Sequence, residues 1–191
     1  VTNVLDALRA GEVIVVPTDT VYGLACLPNI PAAVSKIFAL KGRSAEKALP
    51  VLGDSPQSLA DVAVFDDRAV ELARRFWPGP LTLVLPRAEG FTYYLGDDAE
   101  DTIAVRVPQN EVTLELLGSA GPLAVTSANL SGEPPAESAD EAADIFGGEV
   151  TTYLDGGQGK GVPSTIASLV GDLAVLREGA VSREELDEVL R

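Results

Sequence analysis

Four cations, Lys36, Lys41, Arg43 and Lys47, fall within twelve residues of a chain in which 29 acidic residues face 14 basic ones. Lys41 and Arg43 flank Gly42, so little bulk separates them. Two fixed positive groups on a loop suit a di- or triphosphate, the arginine fork matching a pair of phosphate oxygens. The same residues also suit a helix C-terminus set against its dipole, and spacing alone does not choose. A second cluster, "VTSANLSG" at 125–132, places Thr126, Ser127, Asn129 and Ser131 at the end of an apolar run. Hydroxyls and an amide at a strand's carboxyl end form the rim where α/β folds bind ligands, although Ser, Asn and Gly also build plain turns. Arg106 is the third feature, inside the otherwise apolar "TIAVRVP". A strand arginine needs a partner when buried: a carboxylate of the protein, or one carried by a ligand.

Other stretches carry less chemistry. "DGGQGKGVPST" at 155–165 imitates a phosphate loop but has Leu154 where that pattern needs Gly and Gly161 where it needs Ser or Thr. It reads as a flexible loop, or a lid, bearing Lys160. "GDDAED" at 96–101 reads as a solvated acidic loop. "PGP" at 78–80 reads as a helix stop.

Absences narrow the chemistry further. The sequence has no histidine and one cysteine, Cys26. That excludes imidazole-dependent triads, His-ligated metals, multi-cysteine zinc sites and disulfides within the chain. A net charge of −15 repels nucleic acid; it fits a high-salt host as well as ordinary solubility. No run approaches the ~20 apolar residues of a membrane span, and "VTNVLDALRAGE" lacks the layout of a signal peptide. The expectation is a soluble cytoplasmic protein.

These residues must be held by alternating strands and helices. "EVIVVP", "ALPVLG", "LTLVLP", "TIAVRVP" and "LAVTSAN" read as strands. The opening helix runs from a Thr2 or Asn3 cap through Ala10 to a stop at Gly11. "PAAVSKIFALK" repeats apolar residues at helical spacing with Pro31 in its first turn. "SPQSLADVA", "DDRAVELARRFW" and "NEVTLELLG" also read as helices, the first capped by Ser55. "SADE" at 138–141 and "SREE" at 182–185 are capping boxes that open two more. "STIASLVGDLAVLR" reads as a hairpin turning at Gly171-Asp172, which makes the sheet mixed. The expectation is one α/β domain over residues 1–191.

Taken in order, "PTDTVYGLAC", "KIFALKGR", "FWPGPLTLVL", "TIAVRVP", "TSANLSGEP", "PSTI" and "VLREGAV" resemble the YrdC-like threonylcarbamoyl-AMP synthases over almost the whole chain. The resemblance implies a twisted mixed sheet with helices around a concave cleft. It implies a nucleotidyltransferase that condenses L-threonine, bicarbonate and ATP into threonylcarbamoyl-AMP and pyrophosphate. A separate transferase complex then modifies an adenosine of tRNA. ATP is a substrate accompanied by Mg2+, and no organic cofactor is implied. The family's K-x-R and S-x-N signature falls on Lys41, Arg43, Ser127 and Asn129. By resemblance these four are catalytic and bind ATP, joined by Lys47, Thr102 and Arg177, while Thr20, Arg106, Thr126 and Ser164 take threonine. Leu52 stands where many members carry a histidine, and Pro163 where the family often has glutamate. The expectation is the short form of the family, without the C-terminal domain of the long one. The alternative is a module that binds double-stranded RNA or nucleotide without turnover; the acidic charge makes direct tRNA binding weak or absent.

Overall fold

The computed structural model describes residues 2–42, 44, 47–96 and 101–191. Arg43 and most of the acidic stretch 96–101 lie outside them. The chain starts with α1 (Thr2–Arg9), then β1 (Ile14–Val16), β2 (Gly23–Cys26), α2 (Pro31–Lys41) and β3 (Val51–Leu52). There follow α3 (Asp67–Phe76), β4 (Leu81–Pro86), β5 (Thr102–Arg106), α4 (Glu111–Ala120) and β6 (Leu123–Ser127). α5 (Ala139–Phe146), β7 (Thr165–Ser168), β8 (Ala174–Arg177) and α6 (Arg183–Val189) complete it. Among the described residues the strands form one eight-stranded sheet in the order β1-β2-β6-β3-β5-β4-β7-β8. It is mixed as expected: β3 with β5 and β4 with β7 are parallel, and the other neighbours are antiparallel.

The period-two alternation of strand side chains sorts the strands between two faces. Val15, Leu24, Val51 and Ala124 face the larger core, with apolar residues of α2, α3, α5 and α6. Ile14, Val16, Ala25, Leu123 and Val125 face the smaller one, beneath Val4 and Leu8 of α1 and Leu116 and Leu117 of α4. That second pair of helices covers the β1–β2–β6–β3 half of its face. On the other half, β4 and β5 point Leu81, Leu83, Ile103 and Val105 into the larger core. Their alternate residues Thr82, Val84, Thr102, Ala104 and Arg106 line a cavity. The cavity lies over this half, and Leu52, Val125, Thr126 and Ser127 at the edge of the covered half close its other side.

Most expected elements form. α2 spans the predicted stretch and stops at Gly42, whose φ of 58° is left-handed and suits a residue without Cβ. Ser182 and Glu185 close a full capping box on α6. Ser138 caps α5, but its expected partner Glu141 accepts from Glu137 N instead. Two expectations fail. Residues 55–63 form turns rather than a helix: Ser55 and Ser58 exchange the two bonds of a helix start, but the backbone bonds that follow, Ala60 N to Gln57 O and Val62 N to Leu59 O, span three residues rather than four. The stretch after Thr20 contains an additional strand, β2, which pairs with both β1 and β6.

Candidate active site

The cavity measures about 840 Å³ and opens on the uncovered half-face. Thr20, Lys47, Thr102, Arg106, Thr126, Ser127, Asn129, Ser164 and Arg177 all line it, so the fold brings together nine of the eleven residues singled out. Lys41 stands behind the wall, and Arg43 is outside the described residues.

Arg106 is 6% exposed at the end of β5. Its Nη2 donates to Asp19 Oδ1 at 2.6 Å, its Nε to Gly79 O at 2.9 Å and its Nη1 to Thr20 Oγ1 at 3.1 Å. One partner is therefore a carboxylate of the protein, the first of the two alternatives open in the sequence. Two of the five guanidinium N–H groups remain beyond these three bonds. Burial pulls the Arg106 pKa down and Asp19 opposes that, while the charge of Arg177 adds to the fall. Arginine nonetheless stays protonated in proteins.

Thr18 Oγ1 donates to Val21 O at 2.6 Å and accepts from Thr20 N and Val21 N, which fills its two lone pairs. Thr20 Oγ1 lies 3.0 Å from it and has one lone pair in use by Arg106.

The glycine-rich loop at 155–161 is fastened over this corner. Tyr22, fully buried in residue terms, donates its hydroxyl to Gly157 O at 2.7 Å and accepts from Gly156 N at 3.2 Å. Burial pushes the Tyr22 hydroxyl pKa up, the Gly156 N–H pulls against it, and the Asp155 carboxylate adds to the rise. Gly159 N donates to Glu137 O and Gly161 N to Thr20 O. A Cβ on Gly159 would lie 2.8 Å from Thr20 O, so glycine here permits backbone to cross backbone. The loop read as flexible is bound down in this structure, and its glycines serve close approach.

At the second corner, the Lys41 ammonium donates to Ser127 O at 2.6 Å, Asn129 Oδ1 at 2.8 Å and Asn129 O at 3.0 Å. Ser131 N returns a bond to Lys41 O. Ser127 Oγ donates to Asn129 Oδ1 at 2.6 Å, and Asn129 Nδ2 donates to Leu130 O and Glu133 O. The K-x-R lysine and the S-x-N turn therefore form one clip, 86 residues apart in sequence at its first bond. Across the cavity, Ser164 Oγ meets Thr82 Oγ1 at 2.9 Å, and Arg177 donates to Ser164 O and Oγ. Burial lowers the Arg177 pKa.

Comparison with known proteins places this arrangement. A family model described as telomere recombination, Sua5/YciO/YrdC, matches residues 6–179. The chain belongs to the Sua5/YciO/YrdC family. It is 40% identical over 193 residues to a Mycobacterium tuberculosis relative, covering 100% of this chain and 88% of that one. The threonylcarbamoyl-AMP synthase of Pyrococcus abyssi is 40% identical over 187 residues, 96% of this chain and 55% of the relative. This chain thus spans little more than half of that protein. The crystal structure of Pyrococcus abyssi Sua5 complexed with L-threonine superposes with a TM-score of 0.90 at 37% identity, over 98% of this chain and 56% of that one.

Sequence reasoning missed Asp19 as the arginine's partner, and Thr82 and Gly79 as supports. One signal for the first was present. Asp19 is the single charge between Glu12 and Lys36, as Arg106 is between Asp101 and Glu111. Two lone opposite charges in apolar runs are candidates to meet. Cys26 takes no part: it is buried in the core, which pushes its thiol up to about 12. Among the described residues no helix is long and apolar enough to cross a membrane.

Proposed function

We propose that this cavity makes threonylcarbamoyl-AMP and pyrophosphate from L-threonine, bicarbonate and ATP. The observation that carries the reading is the meeting of the Thr20–Arg106 corner with Ser127, Asn129 and Arg177 around one cavity. The two remaining Arg106 N–H groups donate to the threonine carboxylate, while the Thr20 hydroxyl bonds a polar group of the same amino acid. Thr126 and Ser164 complete that subsite. The free amine adds to the carbon of bicarbonate, water leaves, and a carbamate forms. A carbamate oxygen then attacks the α-phosphorus of ATP, the bond to the β-phosphate bridging oxygen breaks, and pyrophosphate departs.

The nucleophile belongs to the substrate, so the protein supplies positioning and charge. Lys47, Thr102, Ser127, Asn129 and Arg177 face the nucleotide, with Arg43 assigned to the triphosphate by its place in the K-x-R motif. Lys41 acts by holding the 127–129 turn. Among the described residues no group of His, Cys, Asp or Glu could hold a metal, and Mg2+ enters with ATP, bound by phosphate oxygens and water. No organic cofactor is called for. The product passes to a separate transferase that modifies tRNA in the cytoplasm.

Pyrophosphate release tests the reading. With Mg-ATP, threonine and bicarbonate it should proceed, and omission of either threonine or bicarbonate should abolish it. Release that ignores both omissions would refute the synthase.

A further inference from the structure

Arg106 reaches the cavity only through the orientation that other groups impose on it. Its side chain and that of Asp19 are 7% and 6% exposed. Asp19 Oδ1 accepts from Arg106 Nη2 and also from Gln109 N at 2.9 Å. One carboxylate oxygen thus joins the turn between β1 and β2 to the backbone just beyond β5. Gly79 O holds Nε. With Nε and Nη2 anchored on rigid acceptors, the plane of the guanidinium is set, and Thr20 Oγ1 receives Nη1. The same Asp19 sits beside Thr20 in sequence, so one residue places both the donor and the acceptor of this corner.

We propose that Asp19 is a positioning residue for the amino-acid substrate: it aims the Arg106 guanidinium at the substrate carboxylate without touching substrate. This rests on the assignment of the Thr20–Arg106 corner to threonine. The role is geometric. An acceptor at the same place preserves it, and an acceptor displaced by one methylene spoils it.

The experiment measures the KM of threonine at saturating ATP, and of ATP at saturating threonine, by pyrophosphate release. Asp19→Ala should raise the threonine KM about 100-fold, the scale of a misplaced binding group, with the ATP KM within about twofold of wild type. Asp19→Glu keeps the ion pair but moves it by about 1.5 Å, one C–C bond; its threonine KM should rise at least about tenfold, again without the ATP KM. Asp19→Asn offers its amide oxygen to the same two donors, so its threonine KM should stay within about threefold even though the buried Arg106 loses its counter-charge and the fold loses stability. Should the alanine variant not fold, the glutamate variant decides. A wild-type threonine KM in Asp19→Glu, or equal rises for threonine and ATP, would overturn the proposal. Failure of the wild type to show threonine-dependent release would instead refute the synthase assignment itself.

Discussion

The two cationic corners of the cavity are built on different principles. At Arg106 the guanidinium has five donors and three protein acceptors, one of them a carboxylate. Donors remain, with fixed directions. At Lys41 three donations from the ammonium meet three oxygens of one turn, which matches its complement of N–H groups. In the function proposed above, the arginine corner binds a ligand directly, whereas the lysine corner shapes the segment that does. The difference follows from side-chain chemistry. A planar fork can be anchored on one edge and still present another, while an ammonium is a compact point donor. Two motif cations that look equivalent in a sequence thus have unlike work.

Arg106→Ala tests the strongest half of this contrast. It leaves the Asp19 carboxylate buried without its counter-charge, and breaking a buried pair costs about 3–5 kcal/mol. Chemical denaturation at neutral pH should show that loss, together with loss of threonine-dependent turnover. A variant of wild-type stability would mean that Asp19 is solvated and the corner is not preorganised.

Lys41→Met comes next. It removes charged hydrogen bonds worth about 1.5–3 kcal/mol to the turn that carries Ser127 and Asn129. If the lysine works by shaping that turn, kcat/KM for ATP should fall roughly 10- to 100-fold, and the Ala128 and Ser131 amides should exchange hydrogen faster. Lost turnover with unchanged amide exchange would make Lys41 a direct ligand and erase the contrast.

Gly159→Ala should have the smallest effect, about 1–3 kcal/mol of stability by crowding. Its Cβ would press on Thr20 O and lift the glycine-rich loop from the arginine corner. The threonine KM should rise while the ATP KM holds. Equal changes in both would show that the loop covers the whole cavity.

Legibility varied with the range of the forces involved. The 3.6-residue repeat of "PAAVSKIFALK" and the glycine after it defined α2 to the residue, since helical bonds are local. Alternation in "TIAVRV" puts Thr102, Ala104 and Arg106 on one face, which is the face that lines the cavity. The turns at 55–63 were misread as a helix because Ser55 and Ser58 do make the bonds of a helix start, while the backbone beyond them closes tighter three-residue turns. β2 was overlooked because its four residues follow directly on the polar turn, and its strand state depends on pairing with β6.

By itself, then, the sequence determined the mixed α/β class, the chemistry that lacks imidazole, and the motif residues from Thr20 to Arg177. Family membership follows from those motifs in their order. Tertiary structure alone decided which cation meets which oxygen: Arg106 with Asp19 across 87 residues and Lys41 with Asn129 across 88. It also decided which half of a sheet face stays uncovered. The physical reason is that a buried donor must find an acceptor, and which acceptor lies within 3 Å depends on strand order and helix placement, which no local pattern encodes.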